Sequence, residues 1–120
     1  MKILLVDDDS FLRDMYATKF SQSGDEVDTA TDGKNALTIL REKEFDVIII
    51  DMIMPGMTGL ELIEAIKAEA LAPDVKIIVL SNQGEHSDID AATKLGVDGY
   101  IIKAESIPSE VVDKVHKIVL

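Results

Sequence analysis

Short apolar runs alternate with helical segments along the whole chain, and this alternation restricts the fold more than any other feature. Runs such as "DVIII" and "VKIIVL" are apolar throughout, which is typical of parallel strands covered on both faces. Regular alternation predicts an α/β fold with right-handed crossovers. The predicted strands are 2–6, 26–30, 46–50, 75–80 and 99–102, and the predicted helices are 10–24, 33–44, 59–71, 85–96 and 108–120.

Signals inside these segments predict finer details. Ser10 is expected to cap the first helix, and Gly24 to end it. Segment 26–30 alternates apolar and polar residues, so it is predicted to be an edge strand. In the last helix, one stripe faces the core. The valines beside it, Val112 and Val119, either widen the buried face or contact a partner.

Length and composition predict one folded domain spanning residues 1–120. An apolar content of 47% with 29% charged residues is typical of a globular protein. The chain has no cysteine, which excludes disulfides and thiolate metal sites. Its first residues, "MKILLVDDDS", contain too few apolar side chains for a signal peptide or a membrane span. We therefore expect a cytoplasmic protein.

The charge of the chain restricts its partners. The formal net charge is −11, from 12 Lys plus Arg against 23 Asp plus Glu. Nucleic-acid binding depends on basic patches, so direct binding of nucleic acid is not expected. A cation or a positively charged partner is compatible with this balance.

Polar residues follow the predicted strands directly. Ligands of open parallel sheets bind beyond the carboxyl ends of the strands, so these residues are expected to share one rim. The rim combines acids, a hydroxyl and an amine. It consists of Asp7, Asp8 and Asp9 after the first strand, Asp51 after the third, Ser81 and Asn82 after the fourth, and Lys103 after the fifth.

Crowded carboxylates on this rim indicate a bound cation. If the first and third strands are neighbours, the acids after them lie about 5 Å apart. Two such charges repel by roughly 3 kcal/mol at an effective dielectric constant of about 20. A bound Mg²⁺ would turn this repulsion into attraction, because each carboxylate would then face a double positive charge. Mg²⁺ also prefers oxygen ligands. With Lys103 and Ser81 available for an anion, Asp51 is a candidate nucleophile that forms an acyl phosphate.

Each residue also has a plainer interpretation. The acids at 7–9 could form a solvated turn with a helix cap, because Asp and Ser are favoured there. Ser81 and Lys103 could be ordinary loop residues. Asp51 is harder to explain in this way, since it directly follows four apolar residues. The occurrence of all four features at the same end of successive core strands favours a functional site.

In order and spacing, four motifs resemble the receiver domain of two-component response regulators. These motifs are "ILLVDDDS", "IIIDMIMPGMTG", "IIVLSN" and "GYIIK", and the likeness extends over all 120 residues. The resemblance implies a single doubly wound, five-stranded parallel sheet in the order 2-1-3-4-5, which the alternation alone does not determine. The same strand order occurs in a chemotaxis receiver protein and in flavodoxin.

The resemblance also implies a role for each site residue. Asp51 would accept a phosphoryl group from a histidine kinase or a phosphotransfer protein. Mg²⁺ would be bound by Asp8, Asp51 and the backbone carbonyl of Ile53, with Asp7 acting mainly through water. Lys103 would neutralise the phosphoryl group, and Ser81 would donate a hydrogen bond to it. Ser81 and Tyr100 would form the switch pair.

Three residues depart from the family pattern. Family members usually have a cis proline after the lysine, where this chain has Ala104. A cis bond before alanine costs about 3 kcal/mol, so the sequence leaves open whether this bond is cis or trans. Asn82 replaces a small residue, and Ile53 is apolar where some members have a polar side chain. The last two departures predict a long-lived phosphoryl group.

The output is expected to be a protein–protein interaction. The resemblance places the output surface within residues 85–119 and allows a homodimer on phosphorylation. No output domain is expected after Leu120 in this chain, so signalling would occur by binding or by phosphate relay. His86 and His116 have no second ligand at useful spacing and are predicted to be surface helix residues.

Three other functions fit parts of the pattern. A Mg²⁺-dependent phosphohydrolase of the haloacid dehalogenase type also uses an Asp nucleophile, a Ser or Thr, and a Lys. However, this chain has no cap insertion and no acidic motif after Lys103. A receiver-like interaction module without phosphorylation is disfavoured by the complete acidic set. An FMN carrier would need hydrogen-bond donors where loop 7–9 is acidic.

Overall fold

The protein consists of a central sheet with helices on both faces. Its structure is a computed structural model that describes residues 1–71, 73–82 and 86–120. The strands are β1 (Lys2–Val6), β2 (Glu26–Ala30), β3 (Val47–Ile50), β4 (Lys76–Ser81) and β5 (Gly99–Ile102). The helices are α1 (Ser10–Gln22), α2 (Gly33–Glu42), α3 (Gly59–Ala68), α4 (His86–Lys94) and α5 (Pro108–Val119), with a short 3₁₀ helix at Lys103–Glu105.

The five strands are parallel and lie in the order β2-β1-β3-β4-β5. This arrangement confirms the predicted α/β fold and its strand order. The alternating strand β2 lies at an edge, as predicted. No helix within residues 1–71, 73–82 and 86–120 is long and apolar enough to cross a membrane.

Two apolar layers cover the sheet because successive strand residues point to opposite faces. In β1, Leu4 and Val6 face the layer that includes α2, α3 and α4, whereas Ile3 and Leu5 face the layer that includes α1 and α5. All four side chains are at most 1% exposed. The fully apolar strands predicted this burial on both faces.

The valines of α5 belong to the core. Val111, Val112 and Val115 are buried, and Ile118 and Val119 pack against the same layer. The alternative that Val112 contacts a partner is therefore wrong, since only 4% of it is exposed. The apolar stripe of α5 is broad because a wide face of this helix is buried against the sheet.

Several helix ends differ from the prediction. Asp9, not Ser10, caps α1, and its carboxylate accepts a hydrogen bond of 3.1 Å from the backbone N–H of Leu12. Both residue types are good caps, and the extended backbone of Asp9 decides between them. Helix α3 ends at Ala68, before the predicted end at residue 71, and Ala70 is exposed.

His116 is not a simple surface residue, and that prediction was wrong. Its Nε2 lies 2.6 Å from Oδ2 of Asp25, whose side chain is only 6% exposed. The imidazole also meets the ring of Phe20 edge-on, with 6.3 Å between the ring centroids. The contact connects α5 to the turn between α1 and β2. Residue 85 and the side chain of His86 lie outside the described residues.

Candidate functional site

The register of β1 and β3 brings two predicted acids together. Val6 pairs with Ile50, so the next residues, Asp7 and Asp51, leave the sheet side by side. The backbone N–H of Asp51 donates a hydrogen bond of 3.0 Å to the carbonyl oxygen of Val6. The position of both acids thus follows from the pairing of two buried apolar strands.

Gly59 closes the turn that follows Asp51. Its backbone N–H donates a hydrogen bond of 2.9 Å to the carbonyl oxygen of Met52. A Cβ at this position would lie 2.5 Å from the carbonyl oxygen of Asp51 and 2.9 Å from the Cα of Met52. Glycine is therefore required for the close approach of α3 to the Asp51 backbone.

Three carboxylates form a compact group at the carboxyl edge of the sheet. One oxygen each from Asp7, Asp8 and Asp51 lies within 4.8 Å of the other two. Asp7 is buried, Asp51 is half-buried and Asp8 is exposed. Hard oxygen donors at this spacing, open to solvent on one side, fit the ligand preference of Mg²⁺.

Lys103 inserts its ammonium group among these acids. Its Nζ lies 3.0 Å from Oδ2 of Asp7 and 3.8 Å from Oδ2 of Asp51. The lysine side chain is only 6% exposed. No peptide bond among the described residues is cis, so the Lys103–Ala104 bond is trans. The 3₁₀ helix that starts at Lys103 still allows the amine to reach the acidic group.

The surroundings of Asp51 favour its protonated form. Burial raises its pKa to about 6, and the charge of Asp7 acts in the same direction. The Lys103 ammonium and a hydrogen bond from the backbone N–H of Ile53 oppose this shift without cancelling it. Removal from water thus dominates the electrostatics of this carboxylate.

Ser81 and Tyr100 lie on adjacent strands and contact each other. Ser81 is the last residue of β4 and is 1% exposed, and it pairs with Ile102 of β5. A side-chain hydrogen bond joins Ser81 to the half-buried Tyr100, although burial has the larger effect and raises the tyrosine pKa. The structure thus connects the two residues that the sequence analysis paired.

A cavity of about 280 Å³ opens over the acidic group. Asn82 and Ile53 are exposed at this cavity. The cavity brings together every predicted site residue except Tyr100. Its lining consists of Asp7, Asp8, Asp9, Leu12, Asp51, Ile53, Ser81, Asn82 and Lys103.

Sequence reasoning missed two residues of α1 near this cavity. Leu12, an apolar residue of the first turn of α1, lines the cavity. The Nη1 of Arg13 donates a hydrogen bond of 2.9 Å to the carbonyl oxygen of Asp7. A basic residue one turn into the helix after an acidic run was the available signal for Arg13.

A larger cavity of about 630 Å³ lies at the opposite edge of the sheet. Among its lining residues, Asp46 accepts a hydrogen bond of 2.7 Å from the backbone N–H of Lys2. Lys76 likewise lies 3.9 Å from Asp98. The convergence of three carboxylates and one ammonium group therefore distinguishes the smaller cavity as the candidate site.

A five-stranded parallel sheet in this order, with acids and a lysine at its carboxyl edge, defines a doubly wound, flavodoxin-like protein. The family model for the response regulator receiver domain matches residues 3–116. The chain belongs to this family, as its motifs predicted.

Similar proteins include single receivers and longer regulators. The chain is 34% identical over 104 residues to the chemotaxis protein CheY of Pseudomonas aeruginosa, covering 86% of this chain and 84% of that protein. It is 32% identical over 117 residues to the phosphate regulon regulator PhoB of Klebsiella pneumoniae, covering 98% of this chain and 51% of PhoB. It thus spans about half the length of this and similar transcriptional regulators.

A solved structure matches the whole fold. The chemotaxis protein CheY4 of Vibrio cholerae superimposes with a TM-score of 0.91 at 31% identity, covering 99% of this chain and 98% of that one. The family and the fold therefore agree with the sequence analysis.

Proposed function

We propose that this chain is a phosphorylation-activated switch that accepts a phosphoryl group on Asp51 from a histidine kinase or a phosphotransfer protein. One observation carries this proposal. Asp51 is half-buried at the end of a core strand, within 4.8 Å of two other acids and 3.8 Å from the Lys103 ammonium. Burying an ionised carboxylate destabilises the folded protein, so stability alone does not explain an aspartate at this position.

The transfer follows from the chemistry of the donor and of Asp51. A carboxylate oxygen of Asp51 forms a P–O bond as the P–N bond to the donor histidine breaks, and the imidazole leaves with the electron pair of that bond. Lys103 would neutralise charge on the phosphoryl oxygens, and Ser81 would donate a hydrogen bond to one of them. The carboxylates of Asp7, Asp8 and Asp51 and the Ile53 carbonyl would hold Mg²⁺, which would supply positive charge for the phosphoryl oxygens.

The switch would transmit this change through the contact between Ser81 and Tyr100. Phosphorylation adds nearly two negative charges and three acceptor oxygens. A new hydrogen bond to Ser81 competes with the bond between Ser81 and Tyr100 and biases the equilibrium between two arrangements. We infer that a downstream protein, or a second copy of this chain, recognises the changed surface within residues 85–119. We further propose that the protein acts in the cytoplasm.

The test is treatment of the purified protein with acetyl phosphate and Mg²⁺, followed by intact mass measurement. The expected gain is about 80 Da, the mass of an added HPO₃ group. Asp51→Asn should show no gain, whereas Asp9→Asn, which changes another acid that lines the same cavity, should still be modified. An unmodified wild-type protein would favour the interaction module. Hydrolysis of small phosphate esters that survives the loss of Asp51 would favour the phosphohydrolase.

A further inference from the structure

Two groups of Arg13 hold the loop that connects β1 to α1. Its Nη1 donates a hydrogen bond of 2.9 Å to the carbonyl oxygen of Asp7. Its backbone N–H donates the regular first-turn bond of α1, 2.9 Å long, to the carbonyl oxygen of Asp9. The side chain of Arg13 therefore ties the start of α1 to the main chain directly before Asp8.

The hydrogen-bond partner of this guanidinium group indicates its role. Arg13 is half-buried beside an acidic loop, where an arginine that only balanced charge would pair with a carboxylate. Yet no ion pair among residues 1–71, 73–82 and 86–120 involves Arg13. Its observed partner is a neutral carbonyl oxygen, so the contact fixes backbone geometry and does not neutralise an acid.

The positions of the Asp7 and Asp8 carboxylates are fixed in different ways. Oδ1 of Asp7 accepts a hydrogen bond of 2.9 Å from the backbone N–H of Asp9, and Oδ2 accepts one of 3.0 Å from Lys103. The Asp7 carboxylate is thus held directly. Asp8 is exposed, so the backbone that Arg13 fixes determines where its carboxylate lies.

We propose that Arg13 is a positioning residue of the cation site. Its guanidinium group holds the loop so that the Asp8 carboxylate lies next to those of Asp7 and Asp51. This inference rests on the proposed function, because it requires that Mg²⁺ binds the acidic group. Contacts behind the ligands of a metal commonly change its affinity by a factor of about 10 to 100.

Removing the charge of Arg13 gives opposite results for positioning and for simple electrostatics. A positive charge near a cation site repels Mg²⁺, so on Coulombic grounds its removal should tighten binding. If Arg13 instead holds the loop, its removal should weaken binding. The direction of the change therefore distinguishes the two roles.

The experiment measures MgCl₂ binding to the full chain by calorimetry at constant ionic strength. Arg13→Gln and Arg13→Lys are compared with wild type and with Arg41→Gln, which removes an exposed arginine of α2 that is paired with Glu69, directly after the end of α3. We expect roughly tenfold weaker binding for both Arg13 variants and unchanged binding for Arg41→Gln. Lysine keeps the charge but lacks the planar fork of the guanidinium group. Thermal unfolding of each variant verifies that folded protein is titrated.

Each outcome gives a decision. Unchanged or tighter binding by Arg13→Gln overturns the inference, and so does wild-type affinity in Arg13→Lys, which also serves if the Gln variant does not fold. A wild-type protein that binds no Mg²⁺ overturns both this inference and the cation part of the proposed function. Normal binding by wild type with unchanged variants overturns the role of Arg13 alone.

Discussion

Burial of Asp51 costs stability whenever its carboxylate is ionised. Its pKa is about 6 in the folded protein against 3.8 for an ordinary aspartate, so the native state binds the proton more tightly than the unfolded chain. By linkage, the contribution of this group to stability is fully present below pH 4 and is lost as the pH rises through about 6. The lost contribution is roughly 3 kcal/mol at most.

Asp51→Asn should therefore be more stable than wild type at pH 7 and above. The expected gain is up to roughly 3 kcal/mol, because asparagine carries no charge to bury. Below pH 4 the two proteins should have similar stability. Urea unfolding in EDTA across this pH range measures the difference. A gain that does not change with pH would contradict the assigned cause.

The side chain at position 53 is expected to govern the lifetime of the phosphoryl group. Ile53 lines the cavity and is 59% exposed, so it presents an apolar surface where water must approach. We predict a lifetime longer than in fast-cycling receivers, and a shorter one in Ile53→Asn. Phosphate release after acetyl phosphate is removed measures both. Ile107→Asn changes an isoleucine that is 61% exposed and outside the cavity lining, so it is the matched control. Wild-type release within seconds would refute the prediction.

The buried ion pair of Lys103 should matter more than an exposed pair of the same length. Lys103 and Asp7 are 3.0 Å apart with side chains 6% and 2% exposed, whereas Lys43 and Asp28 are also 3.0 Å apart but largely exposed. Lys103→Met leaves Asp7 buried without its partner and should destabilise the protein by roughly 3–5 kcal/mol. Lys43→Met should cost about 1 kcal/mol or less. Equal costs in urea unfolding would show that burial does not control the strength of these pairs.

At the scale of elements, the contact of α3 with the end of β3 is the tightest constraint on the site. Gly59→Ala would place a Cβ 2.5 Å from the Asp51 carbonyl oxygen, and backbone atoms cannot move aside cheaply. We expect a loss of roughly 1–3 kcal/mol and slower phosphorylation, because the Asp51 backbone must shift.

Gly56→Ala is the control for this substitution. Gly56 has a φ of +80°, with open space around its missing side chain. Alanine there should cost about 1–2 kcal/mol of backbone strain without slowing phosphorylation. Acetyl phosphate reaction rates compare the two variants, and equal rates would contradict the steric explanation.

The elements differ in how well the sequence predicted them. Short, fully apolar and β-branched runs such as Ile48–Ile50, bounded by polar residues, favour core strands covered on both faces. Helix ends were less accurate, since Asp9 and Ser10 are both good caps and only backbone geometry distinguishes them. Strand order came from the family resemblance, because alternation is compatible with several orders.

The candidate site was predictable where it follows from strand ends. Asp7 and Asp51 directly follow buried runs, so their convergence could be inferred. The position of Arg13 one turn after an acidic run was a sequence signal, but the choice of a backbone carbonyl as its partner could not be read from spacing. The contact of Asp25 with His116 joins residues 91 positions apart, and no periodic pattern indicates it.

At the scale of the whole molecule, excess negative charge opposes the compact state. The net charge of −11 produces self-repulsion, part of which is concentrated in the acidic group. Raising NaCl to about 0.5 M should increase the unfolding temperature by screening this repulsion. MgCl₂ at equal ionic strength should increase it further, since a ligand at 100 times its Kd stabilises by about 2.7 kcal/mol.

Asp8→Asn separates the two effects. It should abolish the additional stabilisation by MgCl₂ while leaving the response to NaCl. Differential scanning calorimetry measures both responses. If the two salts stabilise wild type equally at matched ionic strength, the acidic group holds no specific cation.

The meeting of Lys103 with Asp7 has a consequence for protein synthesis. These residues are 96 positions apart, so their contact cannot exist until the fifth strand has joined the sheet. A nascent chain still held at the ribosome with that strand in the exit tunnel lacks the amine that the acids need. The acids and the ammonium group thus come together only late in translation, and a partly made chain carries the acidic group without the positive charge that compensates it.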